Sequence, residues 1–462
     1  MTPSVHPSPS AQPAPTDVAI VGAGLAGSEA AWQLARRGFR VALYEMRPTR
    51  QTEAHRTGHC AELVCSNSFK SLNEENAHGL LKAELALQGS LMLQAADGVR
   101  VPAGQALAVD RDLFAARVTG LLSAHPNIHL RREEVTSLAP LLDRHRAVIV
   151  ASGPLTSSPL AEDLRTYVGD GALYFHDAIA PVVMAESIDT TIAYRASRYG
   201  KGSADYLNCP MERGQYLEFI SQVAAAEKMP LHTFESLRAF EGCLPIEVMV
   251  ERGELTLAFG PFKPVGLTDP RTGRVPFAVL QLRQEDRQGN LWGLVGCQTK
   301  MTWPEQRRVF RMIPGLEGAE FARLGSLHRN TFLNAPTLLD ADLALRGEPR
   351  LVFAGQITGV EGYMESTAMG LHAAKRLAAR LNGTELDPPS PDTMTGALVR
   401  YLLETPPDRF QPMNSSFGLL DPPGEKMGKR ERKAFYARRA LDEMAGLEAR
   451  EGFAPPAPGP IR

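Results

Sequence analysis

The segment Asp17 to Pro48, DVAIVGAGLAGSEAAWQLARRGFRVALYEMRP, constrains the fold of this chain more than any other. Val18 to Val21 is an apolar run that reads as a buried strand. Gly22, Gly24 and Gly27 then open a segment with helical periodicity through Ala30, Leu34 and Ala35. Arg40 to Tyr44 reads as a second strand, which ends on Glu45 about twenty residues beyond the glycines. Glycines lack a Cβ, so the backbone can approach a pyrophosphate closely while the helix N-terminus faces its charge. An acid at the end of the second strand can accept hydrogen bonds from both ribose hydroxyls of an adenosine. The segment predicts a dinucleotide site; a tight turn in an ordinary α/β domain is the bland alternative.

With 462 residues, 44% of them hydrophobic, the chain can bury a large core, and two domains are expected. The formal net charge of −2 gives no global basic field, so any nucleic-acid contact must come from a local patch. Five scattered cysteines, an odd number, argue against a disulfide framework and for reduced thiols in a cytoplasmic setting. No apolar run approaches membrane-spanning length, so no membrane partner is expected, and residues 1–16, rich in Pro, Ser and Ala, read as a disordered leader.

After Glu45 a polar loop carries Cys60 and Cys65 and resolves into a helix from about Glu74 to Gln88. Ser66, Asn67 and Ser68 after Cys65 are residue types that turn a chain and cap a helix, and a thiol at a helix N-terminus would have its thiolate favoured. Ala147 to Val150 repeats the grammar of a buried strand followed by a small-residue turn at Gly153. From about Pro181 to Leu339 the texture becomes β-rich: DTTIAYRASRYGKGSADYLNCP, ELTLAFGPFKPVGL, RVPFAVLQLRQED and NLWGLVGCQT read as strands with loops, broken by one helical run at Arg213 to Glu227. FEGCLPIEVM holds Cys243 between a glycine and a nearby proline, a setting that suits a positioned nucleophile or a plain core cysteine. Cys209 and Cys297 read as structural.

The first domain resumes at RLVFAGQITGVEGYMESTAMGLHAAKRLAARL, a strand (Leu351 to Ala354) leading through Gly355, Gln356, Gly359 and Gly362 into a helix. The expected organisation is an α/β, Rossmann-like FAD-binding domain (17–182 and 340–450) with an inserted β-rich α+β domain (183–339) and a tail (451–462). A further helix is expected near Thr395 to Glu404. The basic stretch GEKMGKRERKAFYARR reads as a solvated helix face or, given Phe435 and Tyr436, a nucleic-acid contact. No second GxGxxG marks a nicotinamide domain, and no Cys-x2-Cys, His-x3-His or G-x4-GK[ST] spacing supports metal or a nucleoside triphosphate.

GAGLAGSEAAWQLA with YEMRP, AELVCSNSF, YFHDAIAPVV, LNCPM, FEGCLPIEVM, GPFKPVGL and FAGQITGVEGYMESTAMG together resemble the folate- and FAD-dependent tRNA (uracil-C5-)-methyltransferase family, nearly collinearly from Asp17 to Gly418. The resemblance implies methylation of the T-loop uridine of tRNA (position 54) to 5-methyluridine. Methylenetetrahydrofolate supplies the carbon, FAD carries or reduces it, and NAD(P)H restores the flavin. A thiolate added to uracil C6 makes C5 nucleophilic, so a positioned cysteine is required. By motif, Cys243 resembles the thiol that adds to C6 and Cys65 the second functional thiol near the flavin.

Carried over, Gly22, Ala23, Gly24, Leu25, Ala26, Gly27, Glu45, Met46 and Arg47 would hold the ADP half of FAD. Gly153, Gly355, Gln356 and Gly362 would lie along the rest of the cofactor, with Tyr363 as a ring to stack near flavin or folate. Arg307, Arg308, Arg311 and the basic stretch are candidate phosphate contacts to tRNA. Two other readings stand beside this one: a flavin-dependent thiol-disulfide oxidoreductase using Cys60 and Cys65, and a flavin-bound RNA-binding protein without turnover.

Overall fold

The computed structural model describes residues 16–52, 54–169, 172–178, 180–200, 203–229, 244–325 and 327–451. Cys243, the leader before Thr16 and the tail after Glu451 lie outside the described residues.

The four residues Val18–Val21 are fully buried, as a continuous apolar run in a parallel sheet must be. They pair in parallel with Val41–Tyr44 on one side (Val18 opposite Val41) and with Ala147–Val150 on the other (Val18 opposite Ala147). Ile128–Arg131 and Glu348–Phe353 extend the sheet in parallel, and Ala344–Leu345 closes one edge antiparallel. The chain leaves Val18–Val21 to one side and later returns to the other, so a topological switch point lies at the carboxyl end of this strand, where open α/β sheets bind ligands.

The helix Leu25–Arg36 packs against the late helix Tyr363–Leu381. Their approach leaves no room for a side chain at Gly370, where a Cβ would stand 2.2 Å from the carbonyl oxygen of Ala26. Gly370→Ala is therefore expected to destabilise the fold by about 1–3 kcal/mol, read as a thermal midpoint lower by a few degrees; an unchanged midpoint would show that the helix pair can separate freely.

The insertion has its own six-stranded antiparallel sheet, in the order Tyr194–Ala196, Tyr206–Met211, Ala278–Gln284, Leu291–Leu294, Val182–Met184, Phe321–Arg323. It also has its own core, including Tyr216, Phe219, Phe262, Trp292 and Phe310. Chain leaves and re-enters along an antiparallel ribbon, Ala172–Ala178 against Leu327–Leu333. The expected single helical run is corrected: besides Arg213–Ala225, the insertion carries Ile246–Glu251, Thr256–Phe259 and Trp303–Phe310. Leu255, Leu257 and Phe259 alternate as a strand would, and a helix of one turn is too short to display its own period. The α/β class with an inserted β-rich domain is the one observed.

At the carboxyl end, Met394–Glu404 and Lys429–Glu451 are helices, and the latter packs on Ala77–Leu87. Tyr436 is buried and Phe435 packs beside it, with the Arg439 guanidinium 5.2 Å from the Phe435 ring. Both rings pack toward the core, Phe435 only in part, while Lys429, Arg430 and Arg432 remain on the solvated side.

Glu365, in the first turn of the late helix, anchors it to its neighbours. Its carboxylate accepts from the Ser415 N–H at 3.0 Å and hydroxyl at 2.7 Å, and lies 3.3 Å from His78 Nδ1. Burial opposes its charge, but His78, Lys70 and Ser415 outweigh that cost and bring its pKa from 4.5 down to about 2. A carboxyl depressed in the folded state stabilises fully above the unfolded value near 4.5 and loses that contribution as pH falls through about 2. Glu365→Gln should cost on the order of 2–3 kcal/mol at pH 7. In urea titrations at pH 7 and pH 3 the gap from wild type should shrink at the lower pH; a constant gap would refute the charge-based account.

Candidate functional site

At the carboxyl end of Val18–Val21 the turn must pass directly under the strand Ala147–Val150 and its following loop. Gly22 has φ +99°, and a Cβ there would stand 2.5 Å from the carbonyl oxygen of Ala151. Helix Leu25–Arg36 starts at Gly24 with no side-chain cap and no acid in its first turn, which leaves its first N–H groups for a bound anion. Around this turn opens a cleft. Gly22, Gly24, Leu25, Ala26, Glu45, Met46, Arg47, Gly153, Gly355, Gln356 and Tyr363 all line it.

Three of the expected contacts lie beneath the cleft wall. Ala23 gives its N–H to Glu45 Oε2 at 3.2 Å, Gly27 lets the turn close on Gly22, and Gly362 leads into the late helix with φ +119° over the Glu365 carboxylate. Glu45 is buried, and Arg47 meets it with its backbone N–H at 3.0 Å, Nε at 2.9 Å and Nη2 at 3.1 Å. Burial opposes ionisation of Glu45, but Arg47 outweighs it and the pKa falls below the ordinary value. Each carboxylate oxygen already accepts two hydrogen bonds, so a ribose diol would engage Glu45 only by taking the place of one of these donors. Arg47 in turn reaches Glu62 at 3.0 Å. The cradle, the uncapped helix start and the ionised acid fit a dinucleotide with a pyrophosphate.

Cys65 is half-buried and free. The helix-capping expectation for its neighbours is corrected: Ser68–Ser71 is a strand, and the next helix begins at Ala77 with Asn76 as its cap. What fixes the backbone at Cys65 is a hydroxyl from the other end of the sequence. Tyr363 Oη accepts the N–H of Cys65 at 2.9 Å and that of Ser66 at 3.0 Å. The Tyr363 ring stands edge-on to Phe69 at 5.9 Å, so this side chain both lines the cleft and tethers the cysteine loop. From the insertion, Arg283 donates Nε to Asn67 Oδ1 and Nη2 to Ser66 Oγ, both at 2.8 Å. Asn67 closes the clamp by donating to the carbonyls of Val109 and Gln284.

Cys60 lies in the main core, fully buried, and burial raises its pKa; its N–H is held by Thr119 Oγ1 at 2.8 Å. A thiol so placed is a poor partner for exchange at Cys65. Burial also pushes Cys209 up to about 12 and Cys297 well above its ordinary value, as suits structural thiols. The described chain resumes after Cys243 at Leu244, and the Ile246 N–H donates to the Gln298 carbonyl at 2.7 Å. Arg307, Arg308 and Arg311 are exposed, with Arg308 paired to Glu305 at 2.7 Å. Among the described residues no group of His, Cys, Asp and Glu could hold a metal ion, and no helix is long and apolar enough to cross a membrane.

Sequence reasoning missed Arg111, Arg283, Glu285 and Arg323, which gather beside Cys65 from distant positions without a local pattern. Tyr363→Phe should leave the fold intact but free the Cys65 and Ser66 N–H groups. Their hydrogen exchange and the alkylation rate of Cys65 should rise roughly tenfold for a loss of 1–2 kcal/mol; unchanged rates would show that the tether is idle.

The chain matches the family described as "Glucose inhibited division protein A" over residues 17–385. It is 57% identical over 428 residues to a Geobacter sulfurreducens protein named "Methylenetetrahydrofolate--tRNA-(uracil-5-)-methyltransferase TrmFO", covering 92% of this chain and 98% of that one. A Heliobacterium modesticaldum protein of the same name is 54% identical, with 92% and 97% covered. Among solved structures, Aquifex aeolicus GidA superposes with a TM-score of 0.68 at 16% identity, over 95% of this chain and 73% of that one, a likeness of fold.

Proposed function

The chain belongs to the folate-dependent tRNA (uracil-5-)-methyltransferases within the glucose-inhibited division protein A family, and from that premise we propose how its own residues divide the work. The reaction is C5 methylation of a uridine in tRNA, with methylenetetrahydrofolate as carbon source and FAD as cofactor. The T-loop uridine at position 54 is the proposed target and NAD(P)H the proposed reductant. Free thiols at Cys60, Cys65, Cys209 and Cys297, together with tRNA and folate as substrates, support a cytoplasmic setting.

Bound FAD supplies the hydride chemistry that completes the methyl group. Gly22, Gly24 and the start of helix Leu25–Arg36 bind its pyrophosphate, and Glu45 with Arg47 orients the adenosine ribose. Gly355 and Gln356 lie along the opposite wall of the cleft, where Gln356 Nε2 donates to Glu361 at 2.6 Å and is thereby held in place. Cys243 is the proposed nucleophile at uracil C6, by its motif, and Cys65 the second thiol. The observation that carries this reading is the Tyr363 hydroxyl: one residue lines the cofactor cleft and fixes the backbone of Cys65 beside it.

Unmodified tRNA incubated with methylenetetrahydrofolate, FAD and NAD(P)H should yield 5-methyluridine, read by mass analysis of the T-loop fragment. Cys243→Ala should abolish the product with flavin content unchanged, and Cys65→Ala should lower the rate at least ~100-fold. Full activity in Cys243→Ala would remove the nucleophile assignment. Product loss on Cys60→Ser with activity kept in Cys243→Ala would instead favour the dithiol reading.

A further inference from the structure

Cys65 and Ser66 line a second cavity, bounded by different walls from the glycine-lined cleft. Opposite them runs the insertion sheet, where Gly293 and Gly296 present bare backbone. A Cβ on Gly293 would stand 2.4 Å from Glu285 Oε1, and one on Gly296 would stand 2.4 Å from Pro261 Cβ. The cavity lies at the junction of the two domains, a usual place for a small-molecule site.

Its charge is unbalanced. Arg111, Arg283 and Arg323 converge on one carboxylate: Arg111 Nη2 is 2.5 Å from Glu285 Oε2 and Arg283 Nη2 is 3.4 Å from Oε1. Burial opposes ionisation of Glu285, yet the three guanidiniums outweigh it and lower its pKa. Burial and then the charge of Arg111 pull Arg323 down to about 9, which leaves it protonated at neutral pH. Arg323 is fixed by donating Nη1 to the Val64 carbonyl at 2.9 Å, while its buried Nε has no hydrogen-bond partner. Three guanidiniums beside a thiol thus share a single carboxylate, an excess of positive charge that an oxygen bearing negative charge would balance.

Resting on the methyltransferase reading above, we propose that this cavity receives the target uracil and that Arg323 donates to its C4 carbonyl oxygen. When a thiolate forms its bond to C6, the C5=C6 pair moves toward C4 and the C4=O pair onto O4. That oxygen gains negative charge, which a guanidinium lining the same cavity stabilises. The pair returns as C5 bonds to its one-carbon electrophile, which releases an electron pair to the nitrogen that carried it; the C5 proton then passes to water, its C–H pair re-forms C5=C6, and the C6–S pair leaves with the thiolate. Gln298, also lining the cavity, carries one amide donor and one acceptor, the complement of the uracil imide edge. Arg283 is a positioning residue, since its donors hold Ser66 and Asn67.

The test uses the full-length holoenzyme, Arg323→Gln and Arg323→Lys, with the wild type run alongside. If the wild type makes no 5-methyluridine, the methyltransferase reading itself fails. Given an active wild type, Arg323→Gln should lower kcat by roughly 10²-fold, with KM for tRNA within about twofold and flavin content unchanged, and Arg323→Lys should recover part of the loss. Retained kcat in Arg323→Gln overturns the proposal. So does a loss confined to tRNA affinity with a shallower salt dependence, which marks a phosphate contact. Loss of flavin in both variants overturns it in favour of a structural role.

Discussion

The close contact of two helices from opposite ends of the sequence holds the rest of this structure in place. The carbonyl of Ala26 occupies the space where a side chain at Gly370 would stand, and a Cβ on Gly355, with φ +82°, would stand 2.6 Å from the Ala26 methyl. Because the insertion separates these segments in the chain, their association closes a very long loop, and only dense packing over a wide contact can offset that entropy. Once closed, the contact puts Tyr363 at the mouth of the cleft that Gly22 and Gly24 begin.

From there the structure passes position along by hydrogen bonds. The Tyr363 hydroxyl fixes Cys65 and Ser66, Ser66 and Asn67 receive Arg283, and Asn67 binds backbone carbonyls in both domains. The cysteine loop is thus a joint between cofactor domain and insertion. Buried charges flank it on both sides. Glu365, tied to Ser415 and near His78, secures the helix that presents Tyr363, and nearby Lys82, its pKa lowered by burial to about 7, donates to the Phe69 and His78 carbonyls. On the insertion side Glu285 gathers three arginines. Such networks contribute little net stability compared with apolar packing, but breaking one partner leaves an uncompensated buried charge, so they enforce a single geometry at the joint.

The parallel strands were legible because strands buried on both faces are continuous apolar runs: Val18–Val21 and Ala147–Val150 fall where the sequence places them. Glu45 was legible from its distance to the glycines, whereas its partner Arg47 is explained only by the buried ion pair. The short helices Ile246–Glu251 and Thr256–Phe259 were hidden, since one or two turns cannot establish a period against alternating leucines. Phe435 and Tyr436 were ambiguous for another reason. A basic run with aromatics looks the same whether the rings face solvent or the core, and the packing on helix Ala77–Leu87 turns them inward.

By itself the sequence determined the dinucleotide turn, the discontinuous α/β domain, the family and the cysteine motifs, all of which are encoded in contiguous residues with fixed spacing. Tertiary structure alone decided that Cys65 is held by Tyr363 rather than by a helix N-terminus, that Cys60 is a core residue, and that Arg111, Arg283 and Arg323 share one carboxylate. The physical reason is the range of the forces involved. Backbone conformation and apolar periodicity are local, while desolvation and charge pairing depend on which distant side chains the closed fold brings within a few ångströms.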